Sequence, residues 1–260
     1  MGKNKLKKFS EMEQIPFVLQ YPWATLQQEG FPHKGKWAEF FGSDGRLTVE
    51  LGCGKGEYTI GLGRLRPTDN FIGIDAKGAR MWTGAKQALA EGMGNVAFLR
   101  TDIELLPAFF GPGEVDEIWI TFPDPQMQKA RKRLTGSKML ELYRGVMAPG
   151  GRVNLKTDSP FLYAYTRMLL AANGFTVHAD IPDVYADGLD ASRLPKGLRE
   201  IRTHYERQWL DRGLTIKFLS FSIDGERPIV EPEGAEEIEK DTYRSYSRGY
   251  IQMPQIFENE

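Results

Sequence analysis

Apolar residues occur along the chain in short β-rich runs, and segments with helical periodicity separate these runs. The runs predict strands at residues 46–51, 70–75, 96–101, 115–122, 152–156 and 175–179. The periodic segments predict helices at residues 57–65, 79–91, 137–147 and 160–173. Because strands and helices alternate, we expect an α/β fold with a doubly wound, mostly parallel sheet and helices on both faces. Ligands of such sheets bind outside the carboxyl ends of the strands.

The two ends of the chain lack this alternation. Residues 1–45 have no sustained period and several prolines, which predicts a largely irregular arm with one short helix at Trp37–Phe41. Residues 46–224 form the predicted α/β domain, including a further helix at 198–212 and a strand at 214–222. Residues 225–260 form a C-terminal extension whose pattern predicts no element.

Composition excludes several classes of protein. The hydrophobic fraction of 41% and the charged fraction of 27% are ordinary for a globular protein. A single cysteine, Cys53, forms no internal disulfide, and three histidines without ligand spacing predict no metal site. No apolar run is long enough to cross a membrane, and no signal-peptide core follows the basic N-terminus. We therefore expect a cytoplasmic protein, either a monomer or a homodimer.

The net charge of −1 hides an uneven distribution of charge. Basic residues cluster at Lys3–Lys8 and Lys129–Lys138, whereas acidic residues concentrate at Glu231–Asp241. Phosphate binding needs local positive charge, so a basic face for nucleic acid is compatible with this sequence. A solvated surface is the plainer interpretation of each basic run.

A glycine-rich turn follows the first predicted strand. Gly52 and Gly54 would let the backbone approach a nucleotide-like ligand, and Asp75 closes the second strand where a carboxylate binds ribose hydroxyls. A plain structural turn is the alternative for each of these features. Glu57 would repel the pyrophosphate of NAD, whereas Glu50 and Glu57 suit the sulfonium and amino groups of S-adenosylmethionine. The pattern favours S-adenosylmethionine as cofactor.

Two more carboxylates follow predicted strands. Asp102 follows the third strand, where it would lie beside the adenine of the cofactor or would cap the following helix. Asp124 follows the fourth strand between two prolines, which restrict its backbone at the carboxyl edge of the sheet. A rigid carboxylate next to a methyl donor is a catalytic position, although such aspartates also occur in ordinary turns.

Several short motifs together resemble one known family. They are VELGCGKG at 49–56, Asp75, Thr101-Asp102, FPDP at 122–125, KTD at 156–158 and THYE at 203–206. In this order and spacing they resemble the bacterial tRNA (guanine-N7-)-methyltransferases over about residues 45–220. The resemblance implies a Rossmann-like fold and methylation by S-adenosylmethionine of the guanine at position 46 in the tRNA variable loop.

The resemblance also implies a set of site residues. Those that would contact S-adenosylmethionine are Glu50, Gly52, Gly54, Asp75, Asp102 and Asp124, and Asp124 would be catalytic. Those that would hold the guanine or nearby tRNA are Lys129, Asp158, Thr203, Tyr205 and Glu206. The sequence departs from the family in two places. Gln126-Met127-Gln128 replaces the usual Trp and following run, which leaves the register of Lys129 open, and about 35 residues follow the usual end.

The chemistry predicted for this site is simple. Guanine N7 has a lone pair and no proton, so the enzyme mainly has to align it, and Asp124 would orient the base and stabilise its developing positive charge. Tyr205 would stack on the base, while Lys129, Arg131, Lys132 and Arg133 would meet phosphates. Two other functions stay open from the residues alone. They are methylation of a small molecule and a non-enzymatic RNA-binding module.

Overall fold

The computed structural model describes residues 2–190 and 194–243, and an eight-stranded sheet forms its centre. The strands are β1 (Val18–Gln20), β2 (Leu47–Leu51), β3 (Asn70–Ile74), β4 (Val96–Arg100), β5 (Val115–Thr121), β6 (Met147–Thr157), β7 (Val177–Ile181) and β8 (Lys217–Phe221). The helices are α1 (Gly2–Glu13), α2 (Trp23–Glu29), α3 (Trp37–Phe41), α4 (Glu57–Leu65), α5 (Gly78–Ala90), α6 (Leu106–Phe109), α7 (Ser137–Arg144), α8 (Pro160–Asn173) and α9 (His204–Leu210).

The strand order across the sheet is β1-β4-β3-β2-β5-β6-β8-β7. Neighbouring strands are parallel except at β8, which is antiparallel to both β6 and β7. The predicted doubly wound, mostly parallel sheet is therefore confirmed. The direction of winding reverses between β2 and β5, and a ligand crevice lies outside the carboxyl ends of the strands at such a reversal. Here that position lies beyond Leu51 and Thr121.

Both faces of the sheet are buried. In β4, Val96 and Phe98 join one apolar cluster, whereas Ala97 and Leu99 join the cluster on the opposite face. Side chains alternate between faces along a strand, so a strand that is covered on both sides reads as a continuous apolar run. The sheet is the middle of three layers and holds the strand ends in fixed positions.

The N-terminal arm is more regular than its sequence predicted. Helix α1 packs against α5, and β1 pairs with β4 so that Val18 lies opposite Phe98. The prediction of a largely irregular arm was wrong, because a three-residue strand takes its conformation from its partner and leaves little local pattern. The short helix at Trp37–Phe41 is confirmed.

Two predicted helix boundaries also shift. The helix predicted at residues 137–147 ends at Arg144, and β6 begins ahead of the Pro-Gly-Gly turn, which a register shift against β5 accommodates. The helix predicted at 198–212 begins at His204. The residues before it form turns, and the Leu198 and Ile201 carbonyl oxygens accept hydrogen bonds from the Lys156 ammonium.

The C-terminal extension stays on the domain after β8. Ile229 is buried in the apolar cluster to which α7 and α8 contribute. Hydrogen bonds join the extension to both helices, for example from the Ile229 amide to Glu141 Oε1 at 2.6 Å. The described part of the extension, up to Tyr243, is therefore packed against the helical layer that contains α7 and α8.

Candidate active site

The glycine turn between β2 and α4 has a backbone that only glycine adopts readily. Gly52, Gly54 and Gly56 have φ values of 74°, 56° and 72°. A Cβ at Gly56 would lie 2.5 Å from the Phe98 ring, so packing explains this glycine. A Cβ at Gly52 would meet no atom within 4 Å. The open space beside Gly52 leaves its backbone accessible to a ligand.

Glu50 lies beneath this turn, buried in β2. Its Oε2 accepts hydrogen bonds from the Thr59 amide at 2.8 Å and the Thr59 hydroxyl at 2.5 Å, and its Oε1 accepts one from Thr121 at 2.9 Å. Burial raises the pKa of Glu50 to about 7, although the hydrogen bonds from both threonines lower it. The carboxyl group joins the start of α4 to the end of β5. A cation bound nearby would favour its ionised form.

Asp75 fixes the glycine turn from the neighbouring strand. Its Oδ2 accepts the Gly54 amide at 3.0 Å, and its Oδ1 accepts the Lys77 amide at 2.7 Å. Asp102 is exposed after β4, and its side chain makes no capping hydrogen bond to the short 3₁₀ turn that follows. The capping role considered from the sequence is therefore not seen. Both carboxylates line a cavity of about 300 Å³, together with Gly52, Ala76, Thr101, Ile103, Glu104, Gln126, Lys132, Leu134 and Met139.

Asp124 lies at the tip of a strained turn after β5. Phe122 and Gln126, on either side of it, both have φ of 49°, a conformation that costs a non-glycine residue about 1–3 kcal/mol. Pro123 and Pro125 are buried, while Asp124 is exposed and its Oδ1 accepts the Gln126 amide at 3.0 Å. The turn holds this carboxylate out from the sheet edge.

A second cavity, of about 450 Å³, lies directly above the strand ends. Asp124 lines it together with Thr203 and Tyr205, which are about 80 residues away in sequence. The other lining residues are Glu50, Gly52, Cys53, Gly54, Lys55, Glu57, Arg80, Thr121, Phe122, His204 and Trp209. Gly52 lines both cavities, so they meet at the glycine turn. A larger cavity of about 510 Å³ lies between the N-terminal arm and Arg100, and Asp124 does not line it.

Glu206 lies behind the wall of the second cavity and does not line it. It is fully buried, and its Oε1 lies 2.6 Å from Lys156 Nζ and accepts the Tyr185 hydroxyl at 2.7 Å. Its amide donates to the Thr203 hydroxyl at 3.1 Å, which closes a capping box at the start of α9. Burial lowers the pKa of Lys156 to about 8, while the Glu206 carboxylate raises it. The ion pair anchors the helix that carries Tyr205.

Two other predicted residues lie outside both cavities. Lys129 is exposed and precedes a short 3₁₀ turn, and Lys132, three residues later, lines the smaller cavity instead. Asp158 is fully buried after β6, and its Oδ2 accepts the Tyr243 hydroxyl at 2.7 Å. Neither side chain lines either cavity in this structure.

Among the residues that line the second cavity, sequence reasoning missed Trp209 and Arg80. Trp209 lines the second cavity four residues after Tyr205 on the same helix, a spacing that places both on one face and offered a usable signal. Arg80 lines it from the first turn of α5, and no pattern in the sequence marked it. In the part of the chain that the structure describes, no group of histidine, cysteine and acidic side chains is arranged to hold a metal ion. No helix in that same part is long and apolar enough to span a bilayer.

Comparison with known proteins gives one consistent result. Residues 44–219 match the family described as "Putative methyltransferase". The tRNA (guanine-N(7)-)-methyltransferase of Porphyromonas gingivalis is 58% identical over 91% of this chain and 96% of its own length. The enzyme of that name from Bacteroides thetaiotaomicron is 51% identical over 95% of this chain and 96% of its own. These alignments cover too much of the chain to omit the whole C-terminal extension.

Solved structures agree on the fold. The 16S rRNA methyltransferase KamB has a TM-score of 0.56 at 16% identity, covering 76% of this chain and 96% of that one. The 16S rRNA (adenine(1408)-N(1))-methyltransferase of Catenulisporales acidiphilia has a TM-score of 0.51 at 21% identity, covering 74% and 94%. At these identities the likeness shows a shared Rossmann-like sheet only.

Proposed function

The chain belongs to the bacterial tRNA (guanine-N(7)-)-methyltransferase family, and from that premise we propose that it transfers the methyl group of S-adenosylmethionine to N7 of guanine in tRNA. The observation that carries the proposal is the meeting of two cavities at Gly52. One is lined by the carboxylates that suit a nucleoside, and the other joins Asp124 to an exposed tyrosine. The guanine at position 46 of the variable loop is the proposed target.

The residues around the smaller cavity fit S-adenosylmethionine. Asp75 and Asp102 would bind the ribose and the adenine, and each Asp75 oxygen keeps a lone pair beyond its backbone hydrogen bond. Gly52 leaves its backbone open to the methionine end, and Glu50 lies below with a charge that a cation would stabilise. When bound, the cofactor supplies a methyl group activated by its positively charged sulfur.

The second cavity, of about 450 Å³, would receive the guanine. N7 carries a lone pair and no proton, so no general base is needed and alignment is the main task of the protein. Asp124 would orient the base and stabilise the positive charge that methylation leaves on it. Tyr205 is 41% exposed and is available to stack on a base, as aromatic residues do in single-stranded RNA binding.

The buried residues of the set would act through others. Glu206 holds α9 and so fixes Tyr205 and Thr203. Lys129, Arg131 and Lys132 are exposed beside the Asp124 turn, where they would meet phosphates. Arg133, predicted with them, is buried and donates to the Gln126 and Met127 carbonyls instead. A variable-loop guanine presents N7 to this site only when it is locally unstacked.

The experiment is transfer of a labelled methyl group from S-adenosylmethionine to unmodified tRNA. Asp124→Ala should reduce incorporation at least a hundred-fold, on the order of the loss when one transition-state-stabilising group is removed. Asp180→Ala, which alters an exposed carboxylate on β7, is the matched control and should retain wild-type incorporation. Wild-type protein that binds the cofactor but labels no tRNA would refute the proposal.

A further inference from the structure

Two carboxylates of the C-terminal extension bind the N-termini of two helices. Glu231 Oε1 accepts the Ser137 amide at the start of α7 at 3.0 Å. Asp241 Oδ1 accepts the Phe161 amide in the first turn of α8 at 3.1 Å, and its Oδ2 accepts the Ser159 hydroxyl at 2.5 Å. Carboxylates are favoured at these positions because unpaired amides and the helix dipole attract negative charge. These contacts account for two acidic residues that the family pattern left unexplained.

The extension is built into the domain along its length. The Arg144 guanidinium donates to the Arg227 carbonyl at 2.8 Å, and Asn173 exchanges two hydrogen bonds of 2.9 Å with the Val230 backbone. The Tyr165 hydroxyl donates to Glu231 Oε2 at 2.5 Å. Ile229 is buried in the core and Asp241 is only 7% exposed. A segment held in this way is a fixed wall, which argues against its displacement by a ligand.

The end of the described extension reaches the residues assigned to the guanine. The Tyr243 hydroxyl donates to Asp158 Oδ2, and the Tyr243 ring packs edge-on against Trp209, with 5.5 Å between ring centroids. Trp209 lines the cavity that contains Asp124. The Asp241 amide contacts Met127 Sδ at 3.2 Å, in the turn that follows Asp124. One short segment thus contacts Trp209 in the cavity wall, Asp158, which the family resemblance assigns to the guanine, and the turn that follows Asp124.

We propose that Tyr243 is a positioning residue for the methylated base, with Asp241 as its anchor. Its hydroxyl fixes the carboxylate of Asp158, and its ring supports Trp209 and hence the cavity wall. The inference rests on the proposed function, because Asp158 is assigned to guanine by the family resemblance. It extends the acceptor side of the active site into the C-terminal extension.

The test compares Tyr243→Phe, Tyr243→Ala and Tyr163→Phe. Tyr163 is the matched control, because its hydroxyl also binds an aspartate, Asp180, but on the exposed surface away from both cavities. Tyr243→Phe should lower kcat/KM for tRNA about ten-fold, the usual effect of removing one hydrogen bond to a charged group. Tyr243→Ala should lower it further, since the ring contact is also lost. The Kd for S-adenosylmethionine should stay within about two-fold in all three variants, because Asp158 and Trp209, which Tyr243 contacts, are not among the residues proposed to bind the cofactor.

Hydrogen exchange on the protein alone provides a second measurement. Tyr243→Ala should speed exchange in α9 and in the residues after β6, while Tyr163→Phe should leave both unchanged. Wild-type kinetics in both Tyr243 variants, faster methylation by Tyr243→Ala, or unchanged exchange would each overturn the inference. If Tyr243→Ala speeds exchange but the wild-type protein methylates no tRNA, Tyr243 still supports α9. Only the proposed function is then refuted.

Discussion

The two sides of the candidate active site are built in different ways. On the side proposed to bind the cofactor, Glu50, Gly52, Asp75 and Asp102 each lie in a strand of one half of the sheet or within two residues of its end. On the acceptor side, α9 is held by a buried ion pair to β6, and Asp158 is held by Tyr243, which lies 85 residues away. The strand ends set the positions of the residues on the first side, whereas the residues on the second side are positioned by contacts between segments far apart in sequence. Mutations should therefore separate cofactor binding from tRNA binding.

The largest effect, on the free energy of unfolding, is expected when the buried ion pair of the acceptor side is broken. Glu206→Ala leaves the Lys156 ammonium buried without its partner, so the free energy of unfolding should fall by about 3–5 kcal/mol. Urea unfolding measures the change. Replacing both partners, as Lys156→Met with Glu206→Leu, is the control and should recover much of the stability. A loss below about 1 kcal/mol in Glu206→Ala would show that the pair does not hold α9.

The next effect tests Glu50 on the cofactor side. Its folded pKa of about 7 lies above the ordinary 4.5, so the folded protein binds more protons than the unfolded chain between these pH values. The free energy of unfolding should therefore fall as pH rises through this window, by about 3 kcal/mol for this group. Glu50→Gln should remove that dependence and gain stability relative to wild type at pH 8, while binding S-adenosylmethionine more weakly. If the free energies of unfolding of wild type and Glu50→Gln changed in parallel between pH 5 and 8, the raised pKa of Glu50 would be contradicted.

A smaller effect, on the affinity for the cofactor alone, is expected at Asp75. Asp75→Asn keeps the size of the side chain but weakens the acceptor of the Gly54 amide and of the predicted ribose hydroxyls. Its Kd for S-adenosylmethionine should rise about ten-fold or more, while its Kd for tRNA should stay near wild type. Calorimetry and filter binding measure the two constants. An equal loss in both would mean that the sides are coupled through the glycine turn.

An effect of similar size is expected on the tRNA side at Tyr205. Tyr205→Ala should weaken tRNA binding by about 1–3 kcal/mol, the range for loss of one stacked base, and leave cofactor affinity unchanged. Gln208→Ala, at an exposed position of α9 that does not line the cavity, is the control. Unchanged tRNA affinity in Tyr205→Ala would assign the aromatic ring to packing.

The same contrast explains how far the sequence alone could predict the site. Asp75, Asp102 and Asp124 follow strands whose apolar runs are visible in the sequence, and the structure places all three around the predicted crevice. Burial of Asp158 and Glu206 was not predictable, because it depends on Tyr243 and Lys156, and no local pattern identifies either residue as a partner. The strand β1 was missed for a related physical reason, since three residues carry no period of their own.

Methylation of guanine N7 in tRNA is tested most simply by mapping the position of the methyl group. Unmodified tRNA should be incubated with the protein and S-adenosylmethionine, and the product should be cleaved chemically at 7-methylguanosine. One cleavage is expected, at the variable-loop guanine, and it should disappear with Asp124→Ala. Methylation at another atom, or no 7-methylguanosine from protein that binds both the cofactor and tRNA, would contradict it.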